Sequence, residues 1–470
     1  MTMKDNSYKS VLARRNTIMK AAIGIDYSQY AFGSLGFDYE QMMAEVAYPI
    51  EEIRKIQENQ NVGNTPLLPL RHLTKLVRKC SEPGMGASLY LKDEACNPSG
   101  SFKARRAAIS VYQAKKMGYK GVVAATSGNY GAAVASQAAM QGLKCIIVQE
   151  TYDSRGIGQP EIIEKARKCE AFGAEVVQMS VGPELFYQFL ILLEETAYFN
   201  ASLYSPYGIA GIETLGVEIE EQMQKLTGKS PDVVVCTNAG GGNLTGTARG
   251  LIKAGAVNTK VVAASVDLKG LHMASDHDFN LKSFTTGHTG FGLPFATLPD
   301  RSDVPRSAAR PLRYMDQYQT VKQGEVFYMT EALAQLEGLE RGPAGNISLA
   351  AAFSLAQTLP ESATVVVQET EYTGAGKHVL PQLSFAKTQG IKILRGNPKD
   401  EVPGKNIIIP RHPALIKAET LDMTMLKEHL IRNLLKSSAP DKLTTEDLRF
   451  LADETRTDLD FVYEVLRGLE

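Results

Sequence analysis

The chain has 470 residues, of which 44% are apolar and 22% are charged, and its formal net charge is −1. This length allows two or three domains with separate cores, and the composition is that of a globular protein. The near-zero net charge gives no reason to expect a nucleic acid or an anionic membrane as a partner. No apolar run approaches the roughly 20 residues that span a bilayer, and the polar N-terminus lacks a signal-peptide core.

The cysteines and histidines argue against a disulfide framework and a metal site. The five cysteines are scattered along the chain at Cys80, Cys96, Cys145, Cys169 and Cys236. Their odd number and the absence of a CxxC pair argue against a disulfide framework and a zinc site, so the cytoplasm is the expected location. His272, His277 and His288 share a loop-like stretch, but their spacing is not that of metal ligands, and we expect no metal.

Residues 1–60 are predicted as helical segments with a break near 24–38, and the following region alternates apolar runs with helix patterns. The predicted strands of that region are 89–92, 121–126, 144–149, 175–179, 232–237, 260–266 and 364–368. The predicted helices are 104–117, 131–141, 161–172, 184–197, 244–254 and 346–357. Continuous Val/Ile strands separated by helices predict parallel sheets buried on both faces, which bind ligands at the carboxyl ends of their strands.

The strand pattern fades after about residue 395. A strand at 406–409 is followed by helix patterns at 420–435, 445–453 and 457–469. Thr444 with Asp447, and Thr457 with Asp460, have the spacing of helix starts. We interpret this tail as a helical extension that serves subunit packing.

The first of three chemistry-bearing loops is the run Asn97–Lys103 (NPSGSFK), a turn that leads directly into a helix. Lys103 falls at the helix start, where the partial positive charge of the N-terminus lowers the pKa of an amine. A neutral amine is the form that attacks a carbonyl. The alternative is an ordinary solvated lysine.

The second loop, Thr126–Gly131 (TSGNYG), lies between a strand and an alanine-rich helix. Backbone N–H groups at that helix start, with the side chains of Ser127 and Asn129, form a site for an anion and a hydroxyl. Such a site suits a substrate carboxylate. An ordinary turn between strand and helix is the alternative.

The third loop contains three consecutive glycines, Gly240, Gly241 and Gly242, between a strand and a helix. Without side chains, their backbone amides can wrap a phosphate. No Gly-Lys-Ser/Thr follows, so the loop is not a Walker A loop, and it is not the GxGxxG fingerprint. A nucleotide would fit it equally well.

Together and in this order, NPSGSFK, SGNYG and AGGGN resemble the fold-type II pyridoxal-phosphate (PLP) enzymes, which include threonine synthase and cysteine synthase. The resemblance covers roughly residues 60–380 and implies PLP as the cofactor, with Lys103 as the lysine that carries it. By the same resemblance, Asn129 hydrogen-bonds the phenolic oxygen of PLP, and Gly240, Gly241, Gly242 and Asn243 hold its phosphate. Ser127, Gly128 and Tyr130 lie where the substrate carboxylate binds.

A fourth element, the run Glu369–Lys377 (ETEYTGAGK), follows the last apolar strand. In the family that it resembles, a neutral hydroxyl near the end of this strand faces the pyridine nitrogen and tempers the electron-sink strength of the cofactor. Thr373 beside Gly374 resembles the threonine synthase pattern. Thr370 is an equally open candidate.

The resemblance implies an α/β fold of two doubly wound domains with the cofactor between them. The expected division is a helical extension over 1–58, a larger PLP-binding domain over 59–96 and 205–400, a smaller domain over 97–204, and a mostly helical extension over 401–470.

Taken whole, the chain is similar to the PLP-binding beta subunits of 2-amino-4-oxopentanoate thiolases, a family of ornithine degradation. That resemblance implies an acyltransferase that cleaves 2-amino-4-oxopentanoate with coenzyme A to acetyl-CoA and alanine, with a small alpha subunit as partner and a homodimeric core. The alternatives are a PLP-dependent elimination or replacement enzyme, like threonine synthase or diaminopropionate ammonia-lyase, and a non-catalytic nucleotide- or CoA-binding protein.

The thiolytic nucleophile is coenzyme A itself or, as a hypothesis, a cysteine that forms an acetyl-enzyme. Cys96 precedes the lysine loop and Cys236 precedes the glycine loop. A helix N-terminus lowers the pKa of a nearby thiol and would activate it. The alternative for each is a small buried apolar residue.

Overall fold

The computed structural model describes residues 5–126, 128–153, 155–180, 182, 184–268, 283–285, 303–372, 378–436 and 443–468. The predicted alternation of strands and helices is confirmed in this part of the chain, and the strands at 121–126 and 260–266 have the predicted bounds. None of the described helices has the length and apolar character that a membrane crossing requires. His272, His277 and His288 lie outside the described residues.

The described helices follow one another as α1 (Tyr8–Ala13), α2 (Arg15–Ile23), α3 (Tyr39–Val46), α4 (Ile50–Glu58), α5 (Arg71–Lys79), α6 (Lys103–Lys116), α7 (Asn129–Gln141), α8 (Pro160–Ala171), α9 (Glu184–Thr196), α10 (Pro206–Thr227), α11 (Gly242–Lys253), α12 (Pro311–Tyr314), α13 (Gln323–Glu337), α14 (Asn346–Ala356), α15 (Val379–Thr388), α16 (Met423–Leu435), α17 (Thr445–Thr455) and α18 (Leu459–Arg467).

The described strands are β1 (Ala31–Phe32), β2 (Gly36–Phe37), β3 (Leu67–Pro69), β4 (Ser88–Asp93), β5 (Gly121–Thr126), β6 (Lys144–Tyr152), β7 (Glu175–Ser180), β8 (Phe199–Asn200), β9 (Val233–Thr237), β10 (Lys260–Val266), β11 (Gln317–Val321), β12 (Thr364–Glu369), β13 (Lys392–Gly396), β14 (Asn406–Pro410) and β15 (Glu419–Thr420).

The larger sheet has the strand order β15-β11-β10-β9-β12-β4-β3. Its five central strands are parallel, and the edge strands β3 and β15 are antiparallel to their neighbours. Apolar residues of α5, α13 and α14 pack on one face, and those of α10 and α11 pack on the other. The sheet is therefore doubly wound, as continuous Val runs in β9 and β12 predict.

The smaller sheet has the order β7-β6-β5-β8 and is entirely parallel. Helices α6 and α7 pack on one face, and α9 with the N-terminal helices α1 and α2 packs on the other. The N-terminal extension thus completes the cover of this sheet. Its predicted break contains the short hairpin of β1 and β2.

The division into two domains and two extensions stays a proposal. All strands of the smaller sheet fall within residues 97–204. However, β13 pairs with β14 across residue 400, and β15 joins the larger sheet from the segment beyond it. The C-terminal segment therefore contributes a strand to the larger sheet in addition to its helices.

Of the three predicted C-terminal helices, α17 begins as predicted, whereas α16 begins three residues and α18 two residues later than predicted. Thr444 and Asp447 form a capping box at α17, as predicted. The predicted cap at Thr457 is wrong by one residue, because the side chain of Asp458 caps α18 by accepting from the N–H of Phe461. An aspartate competes well with a threonine for this role.

Asp447 also joins the two ends of the chain. Its buried carboxylate accepts from the N–H groups of Ser34 at 2.9 Å, Leu35 at 2.8 Å and Gly36 at 3.2 Å. These donors lie in the hairpin of the N-terminal extension. The hydrogen bonds outweigh the effect of burial and lower the pKa of Asp447 to about 2.

We expect Asp447→Ala to lower the free energy of unfolding by about 2–3 kcal/mol, since several buried N–H groups lose their acceptor. Because the folded-state pKa is depressed, this stabilisation should be complete above pH 4 and disappear as the pH falls towards 2. Urea denaturation at pH 7 and pH 3 checks both statements. Asp453→Ala, an exposed carboxylate of the same helix, is the control, and an equal effect of the two variants would contradict the assignment.

Candidate active site

One cavity collects the predicted loops of both sheets. Among the residues predicted from the sequence, its lining contains Lys103, Gly128, Asn129, Tyr130, Gly240, Gly241, Gly242, Asn243 and Thr370. Ser127 and Thr373 lie outside the described residues. The loops meet because β5, β9 and β12 present their carboxyl ends to this cavity.

Lys103 is the first residue of α6 and lies half-buried in the lining of the cavity. Its Nζ lies 4.4 Å from the centroid of the Phe102 ring. Burial lowers the pKa of Lys103 to about 8, a shift that Glu371 opposes and that the cations Lys165 and Arg106 support. The amine is therefore much closer to its neutral, nucleophilic form at physiological pH than a solvated lysine is.

A second lysine in the cavity behaves in the opposite way. Lys165 of α8 bonds to Glu161 at 2.5 Å and lies 3.9 Å from Glu371. Burial alone would lower its pKa, but the two carboxylates raise it, so Lys165 stays an ammonium ion. Its side chain runs against Gly128, where a Cβ atom would lie 2.7 Å from the Cδ of Lys165. A fixed positive charge thus stands beside the turn that precedes α7.

The side chains of Asn129 and Tyr130, at the start of α7, differ in their hydrogen bonds. The Nδ2 of Asn129 is buried and has no hydrogen-bond partner in the described part of the protein, so it is a donor available to a bound molecule. The hydroxyl of Tyr130 donates instead to the carbonyl of Ala201 at 2.7 Å, and burial raises its pKa. At position 130, only the backbone N–H is left for a carboxylate.

The glycine loop is shaped by its neighbours. A Cβ atom would lie 1.5 Å from the Tyr204 hydroxyl at Gly240, and 2.5 Å from an Arg106 nitrogen at Gly242. Gly241 has a φ of +82° and begins α11 without any side-chain cap. The first N–H groups of α11 therefore have no partners within the helix, which is the usual basis of an anion site. Asn243 ties this loop to β12, since it donates to Gln368 at 2.7 Å.

Neither cysteine of the acetyl-enzyme hypothesis belongs to the cavity lining. Cys96 is exposed, but partial desolvation and the neighbouring Asp93 carboxylate raise its pKa to about 11. Cys236 lies inside β9, where burial raises its pKa as well. The expected lowering of a thiol pKa is therefore wrong for both, because desolvation and a neighbouring carboxylate disfavour the thiolate.

The lining also contains residues that were not among the predicted site residues, and those with charged or hydroxyl groups near the loops include Arg106, Lys165, Tyr204 and Glu371. Lys165 and Glu161 have the spacing of a surface ion pair on a helix, which gives no signal of a site. Arg106 and Glu371 each follow a predicted residue within three positions. Only their burial in the cavity, at 3% and 2% exposure, distinguishes them from solvated charges.

Comparison with known proteins is consistent with this geometry. Residues 58–371 match the family described as pyridoxal-phosphate dependent enzyme. The chain is 68% identical over 467 residues to the 2-amino-4-ketopentanoate thiolase beta subunit of Acetoanaerobium sticklandii, covering 99% of each chain. It is 63% identical over 466 residues to a protein of the same name from an unknown prokaryotic organism, again over 99% of each.

Among solved structures, a pyridoxal 5'-phosphate-dependent aspartate racemase superposes with a TM-score of 0.56. The match has 19% identity and covers 71% of this chain and 98% of that one, so it supports the fold alone. The fold, the cavity and the full-length matches agree. The chain belongs to the pyridoxal-phosphate-dependent enzymes and, within them, to the family of 2-amino-4-ketopentanoate thiolase beta subunits.

Proposed function

We propose that the protein cleaves 2-amino-4-ketopentanoate, which is 2-amino-4-oxopentanoate, with coenzyme A to give acetyl-CoA and alanine. The observation that carries this proposal is the 68% identity over 99% of both chains to a subunit named for that substrate. We also propose a cytoplasmic location, a role in ornithine degradation, a homodimeric core and a small alpha subunit as partner. The last follows from the name of the relatives, which are beta subunits.

The residues of the cavity fit PLP. Lys103 offers a half-buried amine with a lowered pKa, α11 offers uncapped N–H groups for a phosphate, and Asn129 offers a donor without a partner in the described chain for a phenolic oxygen. When bound, PLP supplies an electron sink that stabilises negative charge at the Cα atom of an amino acid. Thr370 lines the same cavity and is the described candidate for the pyridine nitrogen.

The substrate carboxylate is proposed to bind at the start of α7. The N–H of Gly128 already donates to the Thr126 hydroxyl at 2.9 Å, so the backbone N–H groups of Asn129 and Tyr130 and the Lys165 ammonium attract an anion there. Glu161 and Glu371 hold Lys165 in its charged form, so that it positions the carboxylate without competing with Lys103 as a base. Phe102, Leu203 and Tyr204 contribute apolar surface to the cavity lining.

Lys103 is proposed to move the protons of the reaction. With a pKa of about 8, its amine accepts the Cα proton near neutral pH and returns it to the product. The thiol sulfur of coenzyme A adds to the side-chain ketone carbon, and the bond between this carbon and the neighbouring CH2 breaks. The acetyl group remains on sulfur, and the three-carbon remainder gains a proton to become alanine. The raised pKa values of Cys96 and Cys236 favour this direct attack over an acetyl-enzyme.

The purified protein, mixed with a candidate alpha subunit, should form acetyl-CoA and alanine from 2-amino-4-oxopentanoate and coenzyme A. Lys103→Ala should lower kcat by about 10²–10⁴-fold, because a base at the reacting carbon is lost. Cys96→Ala and Cys236→Ala should retain activity. Acetyl-CoA is followed by chromatography, with and without the alpha subunit.

Two results would contradict this proposal. Release of pyruvate or 2-oxobutyrate from hydroxy- or diamino acids, without any cleavage by coenzyme A, would identify an elimination enzyme. A loss of acetyl transfer in a folded cysteine variant would restore the acetyl-enzyme hypothesis.

The lowered pKa of Lys103 predicts how the apoprotein captures PLP. Only the neutral amine reacts with the aldehyde, so the capture rate should rise with pH up to about 8 and then level off. With a solvated lysine, the capture rate would continue to rise until about pH 10.4. Stopped-flow absorbance of the lysine–PLP imine measures the rate.

Two variants sharpen this measurement. Lys103→Ala should show no imine absorbance. Glu371→Gln should shift the plateau to lower pH, because the charge of Glu371 opposes the lowering of the Lys103 pKa. A rate that keeps rising beyond pH 9.5 in the unaltered protein would show that the amine is solvated.

A further inference from the structure

Arg106 is a buried cation of the cavity that has no acidic partner in the described part of the chain. Its side chain is 3% exposed. The Nη1 atom donates to the carbonyl of Leu203 at 3.1 Å, and the buried Nε atom has no partner. An arginine keeps its proton when buried, so the described residues contain a desolvated charge that the Leu203 carbonyl and the Phe102 ring, 5.4 Å away, offset only in part.

Arg105, the preceding residue of α6, is a buried arginine whose charge is paired with carboxylates. Arg105 is fully buried, and its guanidinium bonds to Glu94 at 2.7 Å and Glu218 at 2.8 Å. Two carboxylates thus offset its burial. No carboxylate among the described residues accompanies Arg106, whose pKa is lowered to about 10 by burial. A partner for Arg106 must therefore come from outside the described chain.

The position of Arg106 indicates the chemistry of that partner. It lies one turn after Lys103 on the same face of α6, since residues three apart are neighbours on a helix. Its Nη2 is the atom that a Cβ at Gly242 would meet at 2.5 Å. The guanidinium therefore lies directly against the uncapped start of α11. Its Nε and Nη2 form one edge, an arrangement that binds two oxygens of a carboxylate or phosphate.

We propose that Arg106 is a ligand of the phosphate of PLP and supplies the full positive charge that the glycine loop lacks. The proposal rests on the cofactor placement given above. A phosphate monoester carries nearly two negative charges at neutral pH, whereas backbone N–H groups offer only partial charges. The dianion and the buried guanidinium compensate each other.

The experiment compares PLP with pyridoxal, which has the aldehyde but no phosphate. Arg106→Met should weaken PLP binding about 10- to 100-fold, the usual range for a hydrogen bond to a charged group. Pyridoxal binding should change less than about threefold, because its contacts do not include Arg106. Dissociation constants come from titrations of the imine absorbance. Arg167→Met, the same change at an exposed arginine, is the control and should affect neither ligand.

Thermal melting of the apoprotein separates a ligand from a structural residue. A methionine in place of an uncompensated charge should leave the apoprotein as stable as before or more stable. Inorganic phosphate should raise the melting temperature of the unaltered protein and of Arg167→Met, but not of Arg106→Met. Arg106→Lys, which keeps the charge and loses the two-atom edge, should bind PLP with intermediate affinity.

The outcomes are distinguishable. Equal weakening of PLP and pyridoxal, unchanged PLP affinity, or a destabilised Arg106→Met apoprotein would each overturn the role of Arg106. Failure of the unaltered protein to form an imine through Lys103 would instead overturn the proposed function. A phosphate effect confined to PLP and inorganic phosphate would support the proposal.

Discussion

The buried ionic network around Arg105 holds the first turn of α6 in place. Arg105 bonds to Glu94, which follows β4, and to Glu218 of α10, and Glu218 also accepts from Lys92 at 2.7 Å. The network therefore links α6, which packs on the smaller sheet, to elements that pack with the larger one. Removing one member would leave the others charged and desolvated, so the members of the network depend on one another. Because Arg105 points into this network, Lys103 and Arg106 are left to face the cavity.

The three cationic side chains of the cavity, Lys165, Lys103 and Arg106, differ in their protonation and in their ionic partners. Carboxylates keep Lys165 charged, burial brings Lys103 close to neutrality, and Arg106 is left without a counter-ion in the described chain. These differences in charge and pairing match what PLP chemistry requires. A carboxylate needs a fixed charge, an aldehyde needs a neutral amine, and a phosphate needs a positive charge beside its helix.

The sequence could predict the loops but not these electrostatic states. A lysine at a helix start, an Asn turn and three glycines after a strand are local patterns with direct physical consequences. Burial is a property of the assembled chain, so the difference between Arg105 and Arg106, adjacent in sequence, could not be predicted. The long helix α10 was missed for a related reason. Its residues 206–220 are all buried, so it lacks the polar face that marks a surface helix. The bond between Asp447 and the hairpin near Leu35 spans most of the chain and leaves no local signal.

The placement of Arg106 also bears on the base of the reaction. A phosphate dianion at the start of α11 raises the pKa of every amine in the cavity, because it favours the charged form. Without compensation, that effect would return Lys103 towards an ordinary ammonium ion. Arg106 acts on both groups. Its side chain lies against Gly242 of the glycine loop, and its charge lowers the pKa of Lys103. A guanidinium paired with the phosphate, as proposed, would therefore let the cavity bind a dianion and still keep a neutral amine available one helical turn away.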